Sequence, residues 1–252
     1  MTYESLSLSV DHGVAHLRLE RPHASNAFDL PFAREFCDAV EEISSDPMTV
    51  AVAITGAGKR FCAGGDVDSM VREGDVEAYL LELATVLDGA LQILAQLCKP
   101  VVAGVQGAVA GAGLGLMLCA DLIVADRSTK FLTAYAGIGL TPDCGVSYLL
   151  PRAIGQQRAL ELALTGRVLN SDEALSWGLI NRVVESDAGD HAVDLARELA
   201  AGPSQALGET RRLLRQGWAA TRAESGASEA QMIARISRTP DAVRLLSDFG
   251  AN

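Results

Sequence analysis

Residues 101–120, VVAGVQGAVAGAGLGLMLCA, carry no charge, and no other stretch limits the fold as tightly. The run is long enough to cross a bilayer core of about 30 Å. It nevertheless holds five glycines and Gln106, and Lys99-Pro100 and Asp121 bound it closely. It reads as a buried strand, a glycine turn and a buried helix in a soluble protein.

The flanking segments fit that reading. LSLSV at 6–10 and VAHLRLE at 14–20 alternate around Asp11-His12-Gly13, which is a hairpin pattern. Pro31 suits the first turn of a helix through FAREFCDAVEEISS, and VAVAIT at 50–55 suits a strand covered on both faces. A long amphipathic helix is expected over 76–97, with further strands at 101–105 and 121–125. This alternation implies an α/β layered fold. Beyond residue 155 the pattern is almost wholly helical, with segments at 156–164, 171–176, 189–200, 203–218 and 221–236 and a short strand after Gly178. The expected division is an α/β core over 1–195 and a helical region over 196–252, packed on its own core or on a neighbouring subunit.

Composition narrows the function. Apolar residues make up 49% and charged residues 21%, which excludes a disordered chain or a coiled coil. A net charge of -11 argues against a nucleic-acid partner, although local cations or backbone amides can still hold an anionic small ligand. Five dispersed cysteines without a CxxC pair fit a reducing compartment and neither a disulfide framework nor a zinc site. His12, His16, His23 and His191 have no metal-ligand spacing. No basic region followed by an apolar one marks the amino terminus, so the expectation is a cytoplasmic protein without a membrane partner.

Two glycine-rich segments follow apolar strands: Gly58-Lys59-Arg60-Phe61-Cys62-Ala63-Gly64-Gly65-Asp66 and Gly107-Ala108-Val109-Ala110-Gly111-Ala112-Gly113-Leu114-Gly115. Small residues let a ligand approach the backbone, and two such loops can aim two N–H groups at one oxygen. Tight packing between layers explains the same residues. Neither is a phosphate loop, since GxxxxGK[ST] is absent, and Leu116 breaks the GxGxxG pattern.

Together with Arg21-Pro22-His23-Ala24-Ser25-Asn26-Ala27, Cys119-Ala120-Asp121, Gly139-Leu140-Thr141-Pro142-Asp143-Cys144-Gly145 and Ala174-Leu175-Ser176-Trp177-Gly178-Leu179-Ile180, these segments resemble the enoyl-CoA hydratase/isomerase, or crotonase, superfamily over nearly the whole chain. The resemblance implies a crotonase (ClpP-like) α/β spiral of ββα units with carboxy-terminal helices that assemble a homotrimer or homohexamer. It also implies an acyl-CoA thioester substrate and no separate cofactor. By motif, the oxyanion donors are the amides of Gly65 and Ala112. Ala24, Ala63, Gly64 and Asp66 fall where the family contacts CoA, and Asp66 can equally cap the next helix.

The departures carry the most information. The family's hydratases place glutamates at the positions of Gly115 and Tyr135. Glycine can neither activate water nor deliver a proton, and a phenol of ordinary pKa about 10 is a poor base near neutrality. The motif around Asp143 is most similar to the 1,2-epoxyphenylacetyl-CoA isomerase and Δ3,Δ2-enoyl-CoA isomerase types, in which one carboxylate shuttles a proton. Locally, Thr141 and Pro142 can also open a helix whose dipole Asp143 favours. A catalytic Asp143 needs an apolar pocket to become a useful base, with Phe131, Leu132, Tyr135, Ile138 and Leu140 as its expected walls. The expected activity is an acyl-CoA isomerase. The alternatives are hydration by an altered acid/base set and a non-catalytic acyl-CoA binding protein. Cys62 and Cys144 read as small buried residues, and Arg21 as a candidate partner for CoA phosphates.

Overall fold

In the computed structural model, residues 3–250 are described. The chain runs through β1 (Leu6–Asp11), β2 (Val14–Leu19), α1 (Leu30–Ser45), β3 (Ala51–Gly56), α2 (Val67–Arg72) and α3 (Val76–Gln96). It continues through β4 (Val101–Val105), β5 (Ala108–Ala110), α4 (Ala112–Leu118), β6 (Leu122–Asp126), β7 (Lys130–Leu132) and α5 (Val146–Ile154). Then come α6 (Gln156–Thr165), β8 (Leu169–Asn170), α7 (Ser171–Trp177), β9 (Arg182–Val184), α8 (Ala188–Ala200), α9 (Ser204–Gln216), α10 (Arg222–Ile236) and α11 (Pro240–Gly250). Single 3-10 turns lie at Pro22–Ala24 and Tyr135–Ile138.

A six-stranded sheet has the order β1-β2-β3-β4-β6-β9, and a three-stranded sheet the order β5-β7-β8. The β1–β2 hairpin is antiparallel, and His12 and Gly13 close it with positive φ of 48° and 80°. That backbone matches the twist of a two-residue hairpin. The remaining pairs of the large sheet are parallel. The uncharged run at 101–120 becomes β4, β5 and α4, so its glycine turn includes a short strand that pairs with β7. Among the described residues, α3 alone has the length and hydropathy to cross a membrane. It buries Leu83, Leu87, Ala90, Leu91 and Leu94 in the core.

Helix α1 forms because Asp29 caps it, accepting from Phe32 N at 2.9 Å, and because Phe32, Phe36, Val40 and Ile43 recur on one face. Phe32 stacks on Phe28 at 4.3 Å, and Phe36 meets Phe28 edge-on at 5.5 Å. Each fully buried ring contributes about 1.5–3 kcal/mol. The ammonium of Lys99 closes the other end of α1, donating to the carbonyls of Ile43 and Asp46.

Alternation in β3 separates two apolar layers. Val52 and Ile54 join the main core, whereas Ala51 and Ala53 face α8 with Ala192 and Ala196. Gly104 permits the close approach of α8, because a Cβ there would lie 2.5 Å from Ala188 O. A division at residue 195 would therefore cut a helix that belongs to the sheet, and the helical region proper begins at α9. Buried Arg211 anchors α9: its guanidinium reaches Asp121 Oδ2 at 2.5 Å and the carbonyls of Leu94, Ala95, Leu97 and Cys119.

Candidate active site

Two loops and one turn converge on a cavity of about 360 Å³. The first loop leaves β3 and is held from beneath by Asn26. This fully buried side chain donates through Nδ2 to the carbonyls of Ala57, Arg60 and Phe61 at 2.9, 2.8 and 3.0 Å. Asn26 sits at φ 54°, a left-handed position that asparagine tolerates better than most residues. Its role is absent from the sequence reading, where the only signal was an asparagine inside the Arg21–Ala27 motif.

The same loop runs beside Phe28 in a parallel bridge. Phe28 N donates to Gly64 O and Asp66 N donates to Phe28 O, both at 2.8 Å. Because strand backbone groups alternate in direction, Gly65 N–H then points away from Phe28. The second loop, after β5, passes close on that side: a Cβ on Gly64 would lie 3.1 Å from Ala110 O and 3.5 Å from Ala112 N. Gly64 at φ 105° and Gly111 at φ 53° make this approach possible. Among the described residues neither Gly65 N nor Ala112 N donates to another protein group, and both residues line the cavity. Ala112 starts α4 without a positive φ, so its Cβ causes no strain.

The turn before α5 supplies the carboxylate. Asp143 lines the cavity, and its Oδ1 accepts the Tyr135 hydroxyl at 2.7 Å. Burial, followed by the charge of Asp143, drives the Tyr135 pKa far above that of an ordinary phenol, so Tyr135 is a neutral donor. Thr141 and Pro142 do not open a helix: α5 starts at Val146, after Cys144 and Gly145 at φ 51° and 71°. The acidic side chain therefore stands on a loop ahead of the helix. Helix α4 explains how the turn comes so near, since a Cβ on Gly115 would lie 2.5 Å from Cys144 O and 3.0 Å from Cys144 Cβ. No side chain larger than hydrogen fits at position 115 while that turn stays in place.

Of the residues singled out in the sequence, Ala63, Gly64, Gly65, Ala112, Tyr135 and Asp143 share this cavity. Ala24 and Asp66 lie outside its lining. Ala24 adjoins Ser25, whose carbonyl accepts Ala63 N–H at 3.1 Å. Asp66 caps α2 through Ser69 N at 3.3 Å and pairs with Arg21 at 3.1 Å. Burial alone would raise its pKa, but the Arg21 guanidinium and the Ser69 amide hold it below the usual carboxylate range. Arg21 is also 2.8 Å from Asp29, so this cation is committed to two carboxylates and is not free for phosphate. Tyr135, Ile138 and Leu140 do form walls. Phe131 is instead buried in the core, and Leu132 belongs to β7 beside Ala110, so neither lines the cavity.

Cys62 and Cys144 are both buried, and burial pushes the Cys62 thiol up to about 12. Such a thiol is not a nucleophile at neutral pH. A larger cavity of about 690 Å³ between α3, α5 and α9 lies behind the turn: Cys144 and Gly145 face it, whereas Asp143 faces the smaller one. Neither loop amide reaches that space. No group of three or more His, Cys, Asp or Glu side chains that could hold a metal ion occurs among the described residues.

A spiral of this topology, with paired loop amides over one cavity, defines the crotonase fold. The chain belongs to the enoyl-CoA hydratase/isomerase family, whose model matches residues 9–244. It is 37% identical to 1,2-epoxyphenylacetyl-CoA isomerase of Escherichia coli K12 over 79% of this chain and 77% of that one. It is 35% identical to crotonyl-CoA hydratase of Syntrophomonas wolfei over 74% and 72%. A solved Mycobacterium abscessus structure named for the enoyl-CoA hydratase/isomerase family superposes with a TM-score of 0.92 at 36% identity, covering 98% of this chain and 96% of that one.

Proposed function

We propose that the protein is an acyl-CoA isomerase in which Asp143 moves a proton through a thioester enolate. The thioester oxygen accepts from the Gly65 and Ala112 amides, which stabilise the negative charge it gains. On a 3-enoyl thioester, the Asp143 carboxylate takes a proton from the α-carbon to give a dienolate. The resulting carboxylic acid returns that proton to the γ-carbon, leaving the conjugated 2-enoyl thioester. One base serves both steps, and no electrons are gained or lost overall, so the reaction itself calls for no redox cofactor. Removing one oxyanion donor would raise the barrier by about 3 kcal/mol.

The observation that carries this reading is Asp143 in the cavity of the two free amides, with its carboxylate fixed by Tyr135. The packing of Gly115 against Cys144 supports isomerisation over two-carboxylate hydration, because it leaves no space for a second acid at that position. Assembly into a homotrimer or homohexamer is part of the same proposal. Its support is the apolar surface on the last helices, where Ile233 is 73% and Phe249 86% exposed.

The test follows conjugation of a 3-enoyl-CoA by absorbance and α-proton exchange in deuterated water. Asp143→Asn should slow both about a hundredfold to ten-thousandfold, the usual range for a lost general base, while CoA-thioester binding persists. Exchange that continues unchanged in Asp143→Asn would remove the carboxylate from the mechanism. Binding without turnover of 3-enoyl or 2-enoyl thioesters by the unaltered protein would identify a binding protein.

A further inference from the structure

Met70 stands directly over the residue that carries the first loop amide. A Cβ built on Gly65 would collide with Met70 Cε, and among the described residues no other atom beyond its chain neighbours comes within 4 Å of that point. Met70 alone therefore covers Gly65 on that side. The same side chain lines the cavity together with Gly65, Ala112 and Asp143. Its sulfur is one bond from the covering methyl, and a thioether on three rotatable bonds is re-aimed without moving the backbone. Helix α2, which carries it, has no fully buried residue, and Gly74 behind that helix faces open space. There is room here for one more oxygen.

Met70 is half-buried, whereas Met48 is 74% exposed and Met117 is sealed inside α4. Exposed Val67, Leu81 and Ile138 lie at the mouth of the cavity, so a small solute reaches the thioether from outside. Hydrogen peroxide passes one oxygen to such a sulfur: the O–O bond breaks, an S–O bond forms, the sulfur gives up two electrons and water leaves. The product is methionine sulfoxide, whose oxygen is a polar acceptor on the same flexible arm. Inside the cavity that oxygen needs a donor. The buried hydroxyls are taken, since Thr133 donates to Leu162 O at 3.2 Å and Tyr135 to Asp143 at 2.7 Å. The Gly65 and Ala112 amides have no partner among the described residues.

We infer that Met70 is an oxidation site whose sulfoxide oxygen is taken up by the Gly65 and Ala112 amides, so that a peroxide-class oxidant closes the site from within. A methionine sulfoxide reductase reopens it, two thiols becoming a disulfide while the oxygen leaves as water. That closure stops turnover rests on the thioester reading above. That the two amides acquire an internal acceptor does not.

The test treats the whole protein with hydrogen peroxide and then with a thiol reductant, which restores cysteine sulfenic acids and disulfides but leaves the sulfoxide. Peptide mass spectrometry follows each methionine, backbone hydrogen exchange follows the Gly65 and Ala112 amides, and α-proton exchange of a 3-enoyl-CoA follows activity. Sulfoxide should form first at Met48, then at Met70, and last at Met117. Oxidation of Met70 should slow exchange of the two amides about tenfold or more, the effect of two hydrogen bonds. Activity should fall by a similar factor in step with Met70 and return with the reductase. Met70→Leu, measured against its own untreated rate, should show neither change, and Met48→Leu should respond as the unaltered protein does. Amide exchange that is unchanged or faster after Met70 is oxidised, a Met70 as resistant as Met117, or equal inactivation of Met70→Leu would overturn the inference. Slowed amide exchange in a protein that turns over no thioester even when untreated would uphold the internal acceptor and overturn the proposed function.

Discussion

Tyr135 donates its hydroxyl to Asp143 at 2.7 Å, and this one bond sets both residues' parts in the site. The phenol is held neutral by burial and by the neighbouring carboxylate. Asp143, which accepts this bond, also lines the cavity. On the proposed mechanism, Tyr135 thus presents the Asp143 carboxylate to the substrate.

Tyr135→Phe keeps the ring and removes the donor. A hydrogen bond to a charged group contributes about 1.5–3 kcal/mol, so kcat for conjugation should fall about tenfold or more. KM should change little if, as proposed, the loop amides hold the thioester. Steady-state kinetics on a 3-enoyl-CoA would separate the two constants, and an equal rise in KM would contradict an orienting role.

Gly115→Ala should be costly although it adds one methyl. Overpacking at a site with 2.5 Å clearance to Cys144 O should destabilise the fold by about 1–3 kcal/mol, read from the urea midpoint. Gly115→Glu should be worse still and should gain no hydration of crotonyl-CoA.

Asn26→Asp replaces a double donor with an acceptor beneath three carbonyls. With no other hydrogen-bond partner in reach of Asn26 Oδ1, nothing local offsets the change. A loss of about 3 kcal/mol is expected from an unpaired buried charge-bearing group, together with a fall in α-proton exchange as the 57–65 loop loosens. Chemical denaturation and exchange kinetics on the same variant check both.

The Arg21–Asp66 pair predicts a pH dependence. The native Asp66 pKa lies below its unfolded value, so the stabilisation is fully present above about pH 4, the ordinary carboxyl value. It is lost as the pH falls from there through the native value. Asp66→Asn should therefore be less stable than the unaltered protein at pH 7, with the gap closing toward pH 3. Urea unfolding across that range measures it, and a gap that widens on acidification would reverse the assignment.

Much of this architecture was legible in the chain. Alternation on both sides of His12-Gly13 announced the β1–β2 hairpin, and the long apolar periodicity announced α3. The motifs singled out residues that do come together in one cavity. Other features depend on partners distant in sequence. Strands β7 and β8 are three and two residues long and exist only because β5 and each other are there to pair with. Thr141-Pro142 looks like a helix start, but the positive φ of Cys144 and Gly145 delays α5 to Val146. The walls were misread at Phe131 and Leu132 because an apolar run does not disclose which face meets the core. The bond between Tyr135 and Asp143, and the three carbonyls that Asn26 supports, are facts of the folded chain alone.

The contact of Gly115 with Cys144 also constrains what substitution can do. One codon change cannot place an acid on α4 without displacing the turn that carries Asp143, because that turn already occupies the space. The turn would have to shift first, and in shifting it would carry Asp143 away from its present place beside Tyr135. An acid on α4 and Asp143 in its present position therefore exclude one another, and the order of mutations decides which of the two a variant keeps.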